Sequence, residues 1–146
     1  MTGDAEPKSR LPLAFSVPKV LEDQRNEDSF HRSRKGVYAL SDGASVSFDS
    51  ASWARILVRR YARNPEFSRA WLAAAIAEFR KLYDRDTMPW MQQASFDRGS
   101  FASLLGVRLI DQGQLICQVG VAVAAPMEFI VFEIRQEAAG AQVVEN

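Results

Sequence analysis

The stretch "NEDSFHRSRKGVYALSDGASVSFDS", Asn26 to Ser50, decides how this chain is read. An acidic pair, Glu27-Asp28, precedes a short apolar run, "GVYALS" at 36–41, which closes on Asp42-Gly43. The run is β-compatible and bounded by glycines, so it reads as a buried strand ending in a turn. Asp28 lies near the end of one extended segment and Asp42 at the end of the next. If the two are neighbours, both carboxylates converge on one rim of a sheet. Two carboxylates and a backbone carbonyl, such as that of Gly43, suit Mg²⁺ or Mn²⁺, hard ions that take oxygen ligands and keep several waters. Glycine at 43 lets backbone approach an ion closely. A metal-bound water is then a nucleophile at neutral pH, and paired metals clamp a phosphoryl group. The competing reading is plain: Asp-Gly after a strand is a routine turn, and Glu27-Asp28 a solvated acidic spot.

Downstream the period changes. Ala54, Leu57, Val58 and Tyr61 recur at helical spacing, so "SASWARILVRRYAR" reads as an amphipathic helix with Arg55, Arg59 and Arg60 on its other side. Asn64-Pro65 stops it. Asn64 or Ser68 caps a second helix, with Leu72, Ala75, Ile76, Phe79 and Leu82 or Tyr83 as its stripe, ending near Asp84. Residues 85–99 read as loop with one helical turn at most. Beyond Gly99 the chain turns β-like. "SFASLLGVRLI" is a strand, "DQGQ" a hairpin connection, "LICQVGVAVA" its partner and "MEFIVFEIRQ" a third. Upstream, "LPLAFSVPKV" at 11–20 reads as an edge strand or an extended entry segment, since its prolines cannot donate to a ladder. The order predicts an α+β fold, helices packed on a mainly antiparallel sheet. Residues 1–10 read as a flexible leader, 11–136 as the domain and 137–146 as an unpacked tail.

Composition narrows the function classes. The chain of 146 residues is 47% hydrophobic and 25% charged, with zero formal net charge. That length supports one domain with a core. A neutral balance implies no broad attraction to nucleic acid or an anionic membrane. The polar N-terminus lacks the apolar centre of a secretory signal, and no apolar run is long enough to span a bilayer. A lone cysteine, Cys117, excludes an internal disulfide framework, and a cytoplasmic location is the expectation.

Three motifs in order resemble the first half of the type-2C, metal-dependent protein serine/threonine phosphatases. Asn26, Glu27, Asp28, Ser29 and Phe30 match the family's opening Asn-(Glu/Gln)-Asp-(Ala/Ser)-Phe pattern; Asp42 and Gly43 match its Asp-Gly strand end; Gly99, Ser100, Phe101 and Ala102 match its later Gly-Ser/Thr-x-Ala strand start. The resemblance covers roughly residues 17–120. It implies an αββα sandwich, two antiparallel sheets flanked by helices, with a two-ion Mg²⁺/Mn²⁺ site at one end. It implies Asp28, Asp42 and the Gly43 carbonyl as metal ligands, Glu27 acting through water, and water attacking a phosphoserine or phosphothreonine without a phosphoenzyme.

The chain departs from the family at three places. The family's phosphate-binding arginine lies five residues before the first metal aspartate, where this chain has Asp23; Arg25 is the nearest substitute, on the same strand face but roughly 7 Å along. No glycine follows Gly43 in the loop. Gln118-Val119-Gly120 runs into Val121 where the family has Asp-Ser, and the family's further aspartates lie beyond that point. A truncated or degenerate domain is therefore expected, with an incomplete metal set and an apolar sheet face open to a partner or to oligomerisation.

Other residues read more simply. His31 sits in a charged stretch and reads as solvated rather than catalytic. Cys117 alternates with apolar neighbours and reads as an inert buried thiol. Trp53, Trp71 and Trp90 read as packing residues, Trp90 also as a surface contact. The arginines at 55, 59, 60 and 63 read as a solvated helix face. Three functions follow as expectations: a metal-dependent phosphatase acting on phosphoproteins, a non-catalytic phosphatase-like module that binds protein partners, or a defective product.

Overall fold

The computed structural model describes residues 26–33, 35–110, 114–124, 131–137 and 140–145. The expected strand at 11–20, the leader, Asp23, Arg25 and most of the "DQGQ" connection lie outside them. Six strands form one antiparallel sheet in sequence order: β1 (Asp28–Arg32), β2 (Val37–Gly43), β3 (Phe101–Ile110), β4 (Gln114–Val123), β5 (Val131–Glu137) and β6 (Gly140–Glu145). Between β2 and β3 the chain leaves the sheet for helices α1 (Ser50–Arg63), α2 (Arg69–Arg80) and α3 (Trp90–Arg98), with a 3-10 turn at Arg85–Thr87. This is the expected mixed α+β architecture.

Alternation along the strands separates two faces. Val37, Ala39 and Ser41 of β2, Ala102 and Leu104 of β3, and Gln118 and Ala122 of β4 are buried under the helices. α1 lies against β1, β2 and β3, and α2 packs on α1. Ala54, Leu57, Val58 and Tyr61 are buried as their spacing predicts. Trp53 is also fully buried: its indole N–H donates to the Ala122 carbonyl on β4 at 3.2 Å, and its ring meets Phe79 of α2 edge-on. Arg55 and Arg59 are exposed, while Arg60 pairs with Glu78 of α2 at 2.9 Å.

Local chemistry sets the helix ends. Asp49 adopts a left-handed conformation, φ 37°, which aspartate tolerates better than most residues. Its carboxylate accepts from the Ser52 N–H at 3.2 Å and from the Tyr83 hydroxyl. Ser68, not Asn64, caps α2, accepting from Trp71 N–H at 3.1 Å; Asn64 instead closes α1. Phe48, Phe79, Tyr83 and Phe96 form a cluster of edge-to-face rings that ties the 44–49 loop to α2 and α3.

Four expectations are corrected. The loop at 85–99 contains α3, which starts directly after Pro89, a residue suited to a helix N-terminus, and ends at Gly99, φ 83°. None of its residues is buried, so no apolar stripe marks it. "DSFHR", where the competing reading had a solvated acidic spot and His31 in a charged stretch, is strand β1 throughout. Asp42-Gly43 is not a turn: both residues stay in β2 and pair with Ser103 and Ala102. The stretch read as unpacked tail holds β6, paired with β5.

Arg85 grips Asp97 with two hydrogen bonds, 2.7 and 2.6 Å, clipping α3 to the 3-10 turn. That bonding holds the Asp97 carboxyl below the usual carboxylate range. A depressed carboxylate stabilises above its unfolded pKa, and the contribution is lost as pH falls through the folded value. Acidification from the ordinary carboxylate range downward is expected to loosen α3, read as faster proteolysis at 90–98, and Asp97→Asn is expected to be loose already at neutral pH.

Candidate cation site at one sheet rim

The β1–β2 register sets Asp28 directly opposite Asp42, and the β2–β3 register sets Asp42 opposite Ser103. Directly opposed residues share a face, with β-carbons about 5 Å apart. Asp28, Asp42 and Ser103 therefore form one row, on the face turned away from the helices, and all three are exposed. Two like charges in direct opposition disfavour the pairing by roughly 0.2–1 kcal/mol unless positive charge sits between them. The register brings the two aspartates to one rim because Asp28 opens β1, where the sequence placed it near the end of an extended segment. Ser103 carries no motif of its own. Only the period-two alternation from Phe101, combined with the register, brings its hydroxyl into the row.

The other expected members are placed differently. Glu27 precedes Asp28 and its carboxylate accepts from the Ser45 hydroxyl, in the loop after β2. Its carbonyl accepts from the Gly43 N–H at 3.3 Å. Gly43 is buried, and its missing side chain has a packing reason: a β-carbon there would lie 2.8 Å from that of Ser50 and 2.9 Å from the Ser50 carbonyl oxygen. Glycine at 43 lets the first residue of α1 sit on the strand. His31 is exposed and alternates to the opposite face from Asp28, opposite Ala39. Cys117 is half-buried, and burial pushes its thiol above the usual range, so it stays protonated and unreactive at neutral pH.

The loop behind the row is well anchored. The Ser47 hydroxyl donates to the Ala44 carbonyl at 2.8 Å and accepts from the Phe101 N–H at 3.0 Å. The Ala44 N–H donates to the Phe101 carbonyl at 2.9 Å, and Ala124 N–H to the Ser100 carbonyl at 2.7 Å. These bonds hold the loop after β2, the start of β3 and the end of β4 at one end of the sheet.

Two opposed carboxylates fit a single hydrated Mg²⁺ or Mn²⁺, which is commonly held by one or two carboxylates with water completing the octahedron. Among the described residues no group of three or more His, Cys, Asp or Glu side chains gathers. Among the same residues no helix is long and apolar enough to cross a membrane.

Compared with protein-family models, curated proteins and solved structures, the chain gives no match.

Proposed function

We propose that the row Asp28–Asp42–Ser103 is the cation-holding edge of a metal-dependent phosphatase-type site acting on phosphoserine or phosphothreonine in proteins. The observation that carries this reading is the β1–β2 register, which opposes the two aspartates across adjacent strands. A second support is the meeting of all three family-like motifs at one rim: Asp28 opens β1, Asp42-Gly43 closes β2, and Gly99–Ala102 leads into β3. A divalent cation bound there supplies positive charge to a phosphate ester and lowers the pKa of a coordinated water. The two carboxylates hold the ion, and mutual repulsion in its absence makes them a better trap for it. Ser103 offers a hydroxyl beside Asp42 that can hydrogen-bond to a carboxylate or to an ester oxygen. Ser45 keeps the Glu27 carboxylate on the loop. The anchored 44–49 loop limits movement of the rim.

The phosphatase-type sandwich belongs to the same proposal. It requires a second layer on the open side of the sheet, and that side is apolar enough to take one. The test is hydrolysis of p-nitrophenyl phosphate by the full chain with and without Mn²⁺, repeated with Asp42→Asn. Manganese-dependent turnover is expected in the wild type, with more than the roughly 10- to 100-fold loss that removing even an outer partner of a metal ligand costs. Turnover that is absent, or unchanged in the variant, counts against it.

A second reading, a non-catalytic module that binds protein through the sheet, is favoured by one observation. Leu40, Leu109, Val119 and Val121 are all large, apolar and 37–56% exposed. Monomers rarely leave a contiguous apolar surface of that kind open.

A further inference from the structure

We propose that a second copy of this chain covers the open sheet face, in a two-fold dimer whose axis runs across the strands along one apolar row. The registers resolve the open face into rows. At the rim lie Asp28, Asp42, Ser103 and Val121; in the middle Phe30, Leu40, Leu105 and Val119; next Arg32, Tyr38, Val107 and Cys117. Across β1–β4 the middle row is wholly apolar; its register continues through Phe132 of β5 to Glu145 of β6. The charged positions of this face on β1–β4, among the described residues, are Asp28 and Asp42 in one outer row and Arg32 in the other.

That distribution selects the occupant. A two-fold axis along the middle row stacks Leu40, Leu105 and Val119 on their own copies. It reverses the strand direction, so each outer row meets the other outer row. The carboxylate pair then faces the partner's Arg32, and Asp42 faces the partner's Tyr38. Four residues of strand, about 13 Å, separate Asp28 from Arg32, so both contacts form at once on either side of the axis. A two-fold axis along the strands would instead put carboxylates at the same end as carboxylates. Apolar rows in the centre and opposed charges at the edge strand are the ordinary anatomy of a stable interface. Sheets packed face to face in this way are spaced by about 10 Å, and helices remain outside on both copies. A self-complementary face is what two-fold association requires. The carboxylate pair cannot serve a cation and the partner's Arg32 together, so cation binding and dimerisation are competing uses of one row.

The experiment is sedimentation equilibrium on the full chain at about 100 μM without divalent cations, with three variants chosen on exposed positions. The wild type is expected at twice the 16.3 kDa chain mass. Val121→Lys, and separately Arg32→Asp, are expected to weaken association more than tenfold. Asp28→Arg/Asp42→Arg is expected to do the same alone. Mixing equal amounts of Arg32→Asp chains with Asp28→Arg/Asp42→Arg chains is expected to restore dimers, because position 28 of each chain then faces an opposite charge at position 32 of the other. Circular dichroism of each variant confirms that the fold persists. A monomeric wild type overturns the proposal. So does a dimer indifferent to Val121→Lys, or a mixture that fails to associate while the wild type dimerises.

Discussion

Trp53→Ala is expected to destabilise the protein by about 4 kcal/mol, within the range for emptying a fully buried tryptophan site. Trp53 is 0% exposed and stands where three parts of the fold meet. Its ring packs against Phe79 of α2 with centroids 5.5 Å apart. Its N–H crosses the sheet face to the Ala122 carbonyl at 3.2 Å. Truncation leaves a cavity between sheet and helices and strips one partner from a buried carbonyl. Since this bond ties α1 to β4, beside that of Tyr61 to Gln118, the variant is expected to lose order at both. Chemical denaturation followed by circular dichroism checks it: the midpoint falls steeply with little change in slope. A loss under 1 kcal/mol would mean that α1 does not sit on the sheet as described.

Gly106→Ala is expected to cost about 3 kcal/mol, the upper end for overpacking. A β-carbon at 106 would lie 2.6 Å from the Tyr61 hydroxyl oxygen and closer still to carbons of its ring. Tyr61 cannot swing aside cheaply. It is fully buried, and its hydroxyl donates to Gln118 Oε1 at 2.7 Å across β3. Displacing the ring takes a hydrogen bond from a buried amide oxygen as well as disturbing the core. Tyr61→Phe in the Gly106→Ala background separates the two effects. It removes the hydroxyl but keeps the ring, so the clash persists and most of the loss remains. A Gly106→Ala variant as stable as the wild type would contradict the close seating of α1 on β3.

How much of this was legible in the sequence depended on burial. α1 was visible because its apolar side chains face the sheet and its arginines face water. α2 showed itself through Leu72, Ala75 and Phe79 for the same reason. α3 was hidden because none of its side chains is buried, so no period marks it, and Pro89 looked like a breaker rather than a start. β1 was hidden because an edge strand with charged ends, Asp28 and Arg32, lacks alternation. That Asp28 and Asp42 could share a rim was raised in the sequence as a condition, but the pairing comes from Asp28 opening β1 and Asp42 lying near the end of β2. Which side chains accompany them was not. Ser103 enters through pairing with a strand some 60 residues away along the chain. Gly43 looked like a ligand position, yet its contact with Ser50 gives it a packing duty that no local pattern carries. Asp42-Gly43 continued as strand because β3, far along the chain, offers it a ladder.

The opposed pair and the open face pose one connected chemical problem. Two like charges sit at the edge of an apolar surface, a place suited to added positive charge. A hydrated cation supplies it in the phosphatase-type reading; the partner's Arg32 supplies it in the dimer.

The most direct test of the central claim, that Asp28 and Asp42 grip one divalent cation between adjacent strands, is a titration of the full chain with Mn²⁺ followed by electron paramagnetic resonance of the free ion. The expected result is one ion bound per chain, with affinity falling by more than tenfold in both Asp28→Asn and Asp42→Asn. The double variant is expected to be no worse than the weaker single one, because the two groups act as one site. Binding that survives both substitutions, or no Mn²⁺ uptake by the wild type, would contradict it.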